Sequence, residues 1–117
     1  MTTQEVASRL VELCRQGQIE TAQTELYSDD CNCLEPENAP MRNVTGLPAI
    51  IEKSKHFNEM VEEFHGATIS DPLVAGNYFS ISWLLDVTMK GMGRIAMDEI
   101  CVYQVKDGKI VCEQFFY

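Results

Sequence analysis

The sequence lacks several features that would define a partner at once. No apolar run approaches the roughly 18 residues that cross a membrane, and the N-terminal MTTQEVASRL lacks the basic and then apolar pattern of a secretory signal. Positive charge is scarce, since 9 Lys and Arg face 18 Asp and Glu and leave a net charge of −9. Such a surface repels phosphate backbones and anionic lipid head groups. We therefore expect no nucleic-acid partner and no membrane partner.

Recognisable catalytic signatures are missing as well. The chain contains no nucleophile elbow, phosphate-binding loop, HExxH helix or dinucleotide fingerprint. The five cysteines are an odd number, and Cys31 and Cys33 form a C-N-C pair that is too short and isolated for a four-ligand metal site. These observations predict no metal and no cofactor. They fit a reducing, cytoplasmic location in which the cysteines are small core residues.

The N-terminal half has the pattern of three helices. Thr2 and Glu5 form a capping box ahead of an apolar stripe with helical spacing, and Gly17 is a natural stop for this first helix. A second, shorter helix follows, and then Ser28-Asp29-Asp30 has the composition of a turn. Thr45 is the predicted cap of a third helix.

The C-terminal half alternates with the period of β-strands. Residues 78–90 place apolar side chains on one face and mostly polar ones on the other. Two further strands follow, and Asp107-Gly108 between them is the signal of a two-residue hairpin. Three helices followed by four long antiparallel strands predict an α+β fold, a single domain over 1–117. In it the helices pack in the concave face of a strongly curved, mostly antiparallel sheet.

Three stretches, in this order, resemble the nuclear transport factor 2-like superfamily and, within it, the SnoaL-like group. ELYSDDCNCLEP resembles the stretch before the family's first strand, VTGLPAIIEK its glycine-led third helix, and VYQVKDGKIVCEQ its final hairpin. The resemblance covers nearly the whole chain and implies a cystatin-like, cone-shaped α+β barrel, the ketosteroid isomerase-like fold. The superfamily includes ketosteroid isomerase, SnoaL-type polyketide cyclases and non-catalytic members, so the resemblance implies a pocket and leaves the reaction open.

Glu35 stands before Pro36 at the end of a short predicted strand. The resemblance places it where ketosteroid isomerase carries its proton-shuttling aspartate, and apolar walls would raise the pKa of such a carboxyl toward the operating pH. A solvated strand end, a pocket-lining group and a catalytic base are the three open interpretations of Glu35. The isomerase's oxyanion-hole tyrosine corresponds to Leu10, which cannot donate a hydrogen bond, so steroid isomerisation is not expected.

Pairing across the predicted hairpin selects further candidates. A two-residue turn places one set of residues on one face of the last two strands, and this set includes Met97, Glu99, Tyr103 and Gln114. The resemblance implies that this face lines the hollow. Glu99 is then a second candidate for catalysis, while Tyr103, Gln114 and Met97 are candidate ligand contacts. A slip of one residue would exchange the two faces.

Bulky side chains supply the walls of the predicted pocket. Trp83 on an alternating strand, Phe57 on the third helix and Leu10 on the first are candidate contacts for a flat, apolar ligand. Trp83 and Phe57 also have the bulk to fill the hollow as core residues. The opposite face of the sheet carries Ile100, Val102, Glu113 and Phe115. Its apolar side chains make it too apolar for open water, which predicts a homodimer across that convex face.

Two hypotheses for function follow. In the first, the protein binds a small apolar molecule in the cone pocket, with cofactor-free acid–base chemistry of isomerase, cyclase or dehydratase type. In the second, it is a non-catalytic dimeric module whose hollow is filled by its own side chains. A protein-interaction role ranks last because no sequence feature points to it. A pocket volume below roughly 300 Å³ would favour the second hypothesis.

Overall fold

The computed structural model describes all 117 residues. Its elements are α1 (Thr3–Arg15), α2 (Ile19–Leu26), β1 (Tyr27–Leu34), β2 (Val44–Thr45), α3 (Leu47–Met60), β3 (Val61–Ile69), β4 (Leu73–Ala75), β5 (Tyr78–Met89), β6 (Gly93–Lys106) and β7 (Lys109–Phe116). Three helices packed on one sheet confirm the predicted α+β class. None of the helices has the length and apolarity needed to cross a bilayer.

The start of α1 follows the predicted capping box. The Oγ1 atom of Thr2 accepts a hydrogen bond from the backbone N–H of Glu5 at 3.1 Å, and the backbone N–H of Thr2 donates to Glu5 Oε1 at 2.9 Å. Two otherwise unpaired donors of the first turn are thereby satisfied. The buried stripe of the helix includes Val6, Leu10 and Leu13, which face the sheet.

Two local predictions for the segments around β1 and β2 are wrong. Ser28-Asp29-Asp30 is not a turn, because β1 already begins at Tyr27 and runs through it. Thr45 does not cap α3, because it belongs to β2 and its hydroxyl donates to Asn32 Oδ1 at 3.0 Å. Gly46 occupies the cap position with φ +96°, a backbone conformation that favours glycine.

The sheet has the strand order β2-β1-β7-β6-β5-β3, with β4 added beside β5. All neighbours are antiparallel except β1 and β7, whose parallel pairing makes the sheet mixed. The hairpin between β6 and β7 turns at Asp107 and Gly108, with φ values of 52° and 75°. Positive φ at both central residues is the property of a type I′ turn, so the Asp-Gly prediction is confirmed.

One β-bulge reverses the predicted faces of β7. Val105 pairs with Ile110 as expected, but Gln104 pairs with Cys112, so Val111 is an extra residue on β7. Because successive side chains point to opposite faces, one extra residue exchanges the two faces beyond it. Gln114 is consequently exposed, and its predicted place in the hollow is wrong.

The same bulge corrects two further assignments on β7. Glu113 and Phe115, predicted for the convex side, line the interior instead, opposite Tyr103 and Cys101 on β6. Phe116 points outward and is 49% exposed. We call the helix-covered side of the sheet the inner face and the opposite side the outer face.

A hydrophobic cluster of 19 buried residues joins the three helices to the inner face. Leu10 of α1, Leu26 of α2 and Ile50 of α3 each contribute side chains that are about 1% exposed. On the sheet side, the rings of Phe79 and Tyr103 stack with centroids 4.7 Å apart. This cluster fills only part of the space between helices and sheet, because an open hollow lies beside it.

Candidate functional site

The hollow is a cavity of about 520 Å³ between the three helices and the inner face. Of its 24 lining residues, 16 are hydrophobic. Ligand pockets of proteins typically enclose roughly 300–1,000 Å³ and are lined mainly by apolar side chains with a few polar groups. The interior of this protein is therefore not filled by its own side chains, and it has room for a drug-sized molecule.

Seven of the eight predicted site residues line this cavity: Leu10, Glu35, Phe57, Trp83, Met97, Glu99 and Tyr103. The eighth residue, Gln114, does not line the cavity, because the bulge at Val111 turns its side chain to the outer face. Alternation along β5 and β6 brings the strand residues to the inner face, and the predicted alternation of β5 is confirmed. Their roles in binding and catalysis stay predictions.

Glu99 lies opposite Trp83 in the register of β5 and β6. Its only hydrogen bond within the protein comes from the thiol of Cys101, with Sγ 3.6 Å from Oε1, and it forms no ion pair. Burial is the main cause that raises the pKa of Glu99 from its ordinary value of 4.5 to about 7. The charges of Glu35 and Glu113 contribute to this rise, whereas the hydrogen bond from Cys101 and the charge of Lys53 oppose it. Both the protonated and the ionised form of Glu99 are therefore present near neutral pH.

Glu113 is a second buried carboxyl, and the sequence did not single it out. It is 4% exposed and accepts a hydrogen bond from the hydroxyl of Tyr27. Burial raises the pKa of Glu113, while the hydrogen bond from Tyr27 opposes that rise. Only the bulge at Val111 turns this side chain inward, and an alternation pattern does not reveal a bulge.

Glu35 is the third carboxyl of the cavity. Its side chain is 4% exposed, which rejects the interpretation as a solvated strand end. The hydroxyl of Tyr117 donates to Glu35 Oε1 at 3.0 Å, and Lys53 Nζ lies 3.6 Å from Glu35 Oε2. Asn43 Oδ1 accepts from the backbone N–H of Glu35 at 2.6 Å, so the following loop is fixed to the end of β1.

Lys53 is the one lysine that lines the cavity, and it contacts the carboxyl of Glu35. The side chain of Lys53 is only 15% exposed, although lysine is mostly exposed in proteins. Its Nζ atom donates to the carbonyl oxygen of Arg42 at 3.0 Å and to Cys33 Sγ at 3.4 Å, and it lies 6.0 Å from the ring centroid of Phe115. Lys53 is thus already surrounded by acceptors and an aromatic face.

Three lining residues carry buried polar atoms without a hydrogen-bond partner in the protein, namely Gln23 Oε1, Glu35 Oε2 and Trp83 Nε1. Gln23 is 5% exposed, and its amide nitrogen donates to Ser54 Oγ at 2.9 Å, which leaves only its oxygen unpaired. Such atoms are costly in an apolar interior unless a partner reaches them. Their position on the cavity wall makes them candidate ligand contacts.

Replacing Tyr27 by phenylalanine tests the buried pair with Glu113. The variant removes the only hydroxyl that donates to this carboxyl, so we expect the free energy of unfolding to fall by about 2 kcal/mol in urea titrations. Tyr78→Phe is the matched control, because Tyr78 is 51% exposed and its change should be near zero. Equal effects of the two substitutions would contradict a stabilising role for the Tyr27–Glu113 contact.

The arrangement suits proton transfer better than metal chemistry. No group of three or more His, Cys, Asp or Glu side chains is placed to hold a metal ion. In contrast, three glutamates, the exposed Asp98 and one lysine line an apolar cavity, and two of the glutamates, Glu99 and Glu113, have a raised pKa. Groups whose pKa lies near the working pH are the ones that both accept and return protons.

Comparisons with known proteins agree with this architecture. The sequence profile of the SnoaL-like domain matches residues 1–117. A protein from Mesorhizobium loti, provisionally described as a SnoaL-like polyketide cyclase, is 37% identical, with 100% of both chains covered and a TM-score of 0.94. No curated protein matches the chain.

Two more distant structures share the fold. A protein of unknown function with a cystatin-like fold from Xanthomonas campestris is 18% identical, covering 99% of this chain and 90% of that chain, with a TM-score of 0.83. A ketosteroid isomerase-like protein from Catenulispora acidiphila DSM 44928, in complex with trimethylamine, is 20% identical, covering 99% and 87%, with a TM-score of 0.76. These likenesses confirm the predicted cone fold, and the matching profile and the Mesorhizobium protein show that this chain belongs to the SnoaL-like family.

Proposed function

We propose that this protein binds a small, largely apolar molecule in its cavity and transfers a proton on that molecule through Glu99, without a cofactor. The SnoaL-like family and its polyketide cyclase-like fold indicate small-molecule binding or cyclase- or isomerase-type chemistry. The observation that carries the finer proposal is Glu99 itself, a carboxyl without an ion pair on the wall of an apolar cavity, with its pKa raised to about 7.

Glu99 can act in both directions at neutral pH because its two protonation states are similarly populated. The ionised carboxylate takes a proton from a C–H or O–H group of the bound molecule. The protonated carboxyl then returns that proton to a second position of the same molecule, which is an isomerisation. Return of the proton to a leaving hydroxyl releases water instead, which is a dehydration. Neither course needs an oxidant or a reductant.

Trp83 is the donor that supports this chemistry. Its indole N–H is buried without a protein partner, and directly paired residues on neighbouring strands have Cβ atoms about 5 Å apart. A substrate oxygen that gains negative charge when Glu99 removes a proton could be stabilised by that N–H. Leu10, where the resemblance implies a tyrosine donor in the isomerase, lines the cavity and offers no hydrogen bond.

Binding without turnover is the second candidate function. Leu10 favours this function because it cannot donate a hydrogen bond. An enolate formed in the cavity would therefore have fewer hydrogen-bond donors than in ketosteroid isomerase. The filled-pocket version of a non-catalytic module is not supported, because the cavity volume of about 520 Å³ exceeds the roughly 300 Å³ below which we expected that function.

The proposal is tested with a thermal-shift screen of steroid-, polyketide- and terpenoid-like compounds. Met97→Trp extends a large side chain from the cavity wall, whereas Gln114→Trp puts the same side chain on the outer face. We expect the shifts of the parent to persist in Gln114→Trp and to disappear in Met97→Trp. Compounds that bind equally well to both variants would place binding outside the cavity.

Proton transfer is then followed directly by NMR in D₂O. We expect the parent to exchange an acidic C–H or to convert at least one bound compound, and Glu99→Gln to do so far more slowly. Binding in the cavity with no exchange and no conversion of any compound would reject the enzymatic part of the proposal. The binding part would stand.

We also infer that a second copy of this chain covers the outer face. Leu84, Ile100 and Phe116 are 40%, 52% and 49% exposed there, and Ile100 pairs with Phe116 in the register, so the apolar surface is continuous. Light scattering should give twice the mass of one chain for the parent and a smaller mass for Ile100→Lys. A parent that stays monomeric at high concentration would reject the homodimer.

A cytoplasmic location is the compartment that we propose. All five cysteines are unpaired, and burial raises the pKa of the Cys14 and Cys31 thiols to about 12, which keeps them protonated. Thiol titration of freshly isolated, denatured protein should find five free thiols. A smaller number would argue for an oxidising compartment.

A further inference from the structure

Among the buried polar atoms of the cavity that lack a hydrogen-bond partner, acceptors outnumber donors. Gln23 Oε1 has no hydrogen-bond donor, and Glu35 Oε2 has none within hydrogen-bond distance, because its ion-pair partner Lys53 Nζ is 3.6 Å away; both acceptor side chains are at least nine-tenths buried. Trp83 Nε1 is the single buried donor without a partner. A ligand that completes these contacts must therefore carry hydrogen-bond donors of its own.

The charges of the cavity are also unbalanced. Glu35, Glu99, Glu113 and the exposed Asp98 line the cavity with a single lysine. That lysine, Lys53, is already held by Glu35, by the carbonyl oxygen of Arg42 and by the thiol of Cys33. Glu99 forms no ion pair, and the charge of Lys53 acts on it only from beyond ion-pair distance. An anionic group on a ligand would meet these carboxyls, whereas a cation would supply the counter-ion that Glu99 lacks.

Aromatic faces line the same region. Trp83 is the cross-strand neighbour of Glu99 and lines the cavity, and an indole ring attracts a cation placed over its face. The cavity already uses one ring in this way, because Lys53 Nζ lies 6.0 Å from the centroid of Phe115. A carboxylate next to an indole face is a combination that recognises alkylammonium groups.

We propose that the ligand of this cavity is an apolar molecule that carries a protonated amine, with Glu99 as its counter-ion and Trp83 beside it. The inference rests on the proposed function, since it names the chemical class of the molecule that the cavity binds. It excludes carboxylates and phosphates as the polar end of that molecule. An ammonium group beside Glu99 favours the ionised carboxylate, which is the form that takes a proton in the transfer proposed above.

The affinities of an amine and of a neutral ligand should change in opposite directions as the pH rises. The groups that act on Glu99 are Cys101 and Tyr103 on β6, Glu113 on β7, Tyr117 after β7, Glu35 after β1 and Lys53 on α3. An ammonium group favours the ionised carboxylate, so amine affinity rises as pH increases through the pKa of Glu99. A neutral ligand desolvates Glu99 further and favours its protonated form, so neutral affinity falls over the same range.

The test compares three probes of one shape by calorimetry at pH 6 and pH 8: N,N-dimethyl-1-naphthylmethylamine, its carbon analogue 1-isobutylnaphthalene, and 1-naphthylacetate. The aryl group lowers the pKa of this amine below the ordinary lysine value of about 10.4 but leaves it above 8, so the probe is mainly protonated at both pH values. We expect the amine to bind about tenfold more tightly than the carbon analogue at pH 8, with an affinity that increases from pH 6, and the anion to bind most weakly.

Two variants test whether Glu99 causes the preference for the amine. Glu99→Gln should abolish the preference for the amine, whereas Glu62→Gln, which removes the same charge from an exposed position on β3 outside the cavity, should preserve it. A carbon analogue that binds as tightly as the amine at pH 8 would overturn the amine inference and leave the proposed function standing. No binding of any probe would overturn the inference as well, and the broader screen then decides the proposed function separately.

Discussion

Glu99→Gln is expected to lower the rate of the proposed proton transfer by about 10²- to 10⁴-fold, the usual contribution of a positioned general base. The substitution conserves shape, and the amide oxygen can still accept the weak hydrogen bond from Cys101. What it removes is the group that accepts a proton near neutral pH. The measurement is the conversion or C–H exchange rate of a compound found in the screen, compared at saturating concentration.

A matched variant separates this role from a general loss of charge in the cavity. Glu35→Gln removes a carboxylate that is already paired with Lys53 and Tyr117, so its effect on the rate should be much smaller than that of Glu99→Gln. If Glu35→Gln abolished the reaction and Glu99→Gln left it intact, the base would be Glu35, as the resemblance to ketosteroid isomerase first implied. Our assignment of the proton transfer to Glu99 would then be wrong.

The same substitution, Glu99→Gln, should stabilise the fold at alkaline pH by about 3 kcal/mol. Folding raises the pKa of Glu99 from 4.5 to about 7, and each unit is worth about 1.4 kcal/mol. The folded state therefore binds more protons than the unfolded state between these values, so stability falls as pH rises through that window and is constant above it. The amide side chain of the variant never ionises and avoids this cost.

Urea titrations of the parent and Glu99→Gln at pH 4.5 and pH 8 measure this effect. The two proteins should differ little at pH 4.5, and the variant should be the more stable at pH 8. Glu113 also has a raised pKa and lowers the stability of both proteins in the same direction, so the difference between them isolates Glu99. A difference that does not change with pH would mean that Glu99 is not desolvated. A functional group that destabilises its own fold is a common cost of activity.

Local signals made the larger part of the fold predictable. The Thr2–Glu5 capping box and the Asp107-Gly108 turn each depend on a few neighbouring residues, and both occur as predicted. The prediction failed at Thr45, where a hydroxyl suited to a helix cap is instead used by a two-residue strand beside Asn32. A contact between distant segments overrides the local preference there.

The sequence predicted correctly which face the candidate residues of β6 occupy, but not which face the residues of β7 beyond the bulge occupy. Alternation along β6 correctly brought Glu99 and Tyr103 to one face, because no irregularity interrupts the pairing of β5 and β6. The extra residue at Val111 then replaced Gln114 by Glu113 on that face. A bulge changes the register without a distinctive residue type, so the buried carboxyl next to Tyr27 could not be identified from the pattern.

The environment of Glu35 needed the three-dimensional structure. Its side chain is buried because Tyr117 at the end of the chain and Lys53 on α3 both reach it, and these residues are 82 and 18 positions away in the sequence. Lys53 lies at the edge of the apolar stripe of its helix, where a long side chain can turn into the cavity. The charge of a lysine, rather than its spacing along the helix, makes solvent the expected position for it.

The pKa of Glu99, measured by ¹³C NMR of the side-chain carboxyl in glutamate-labelled protein, tests the account most directly. Glu99→Gln assigns the resonance, and titration from pH 3 to pH 9 gives the midpoint. We expect a midpoint near 7 that moves lower when the amine probe is bound. A midpoint near the ordinary value of 4.5 would contradict it, because Glu99 would then be a solvated carboxylate with neither a catalytic nor a ligand-selecting role.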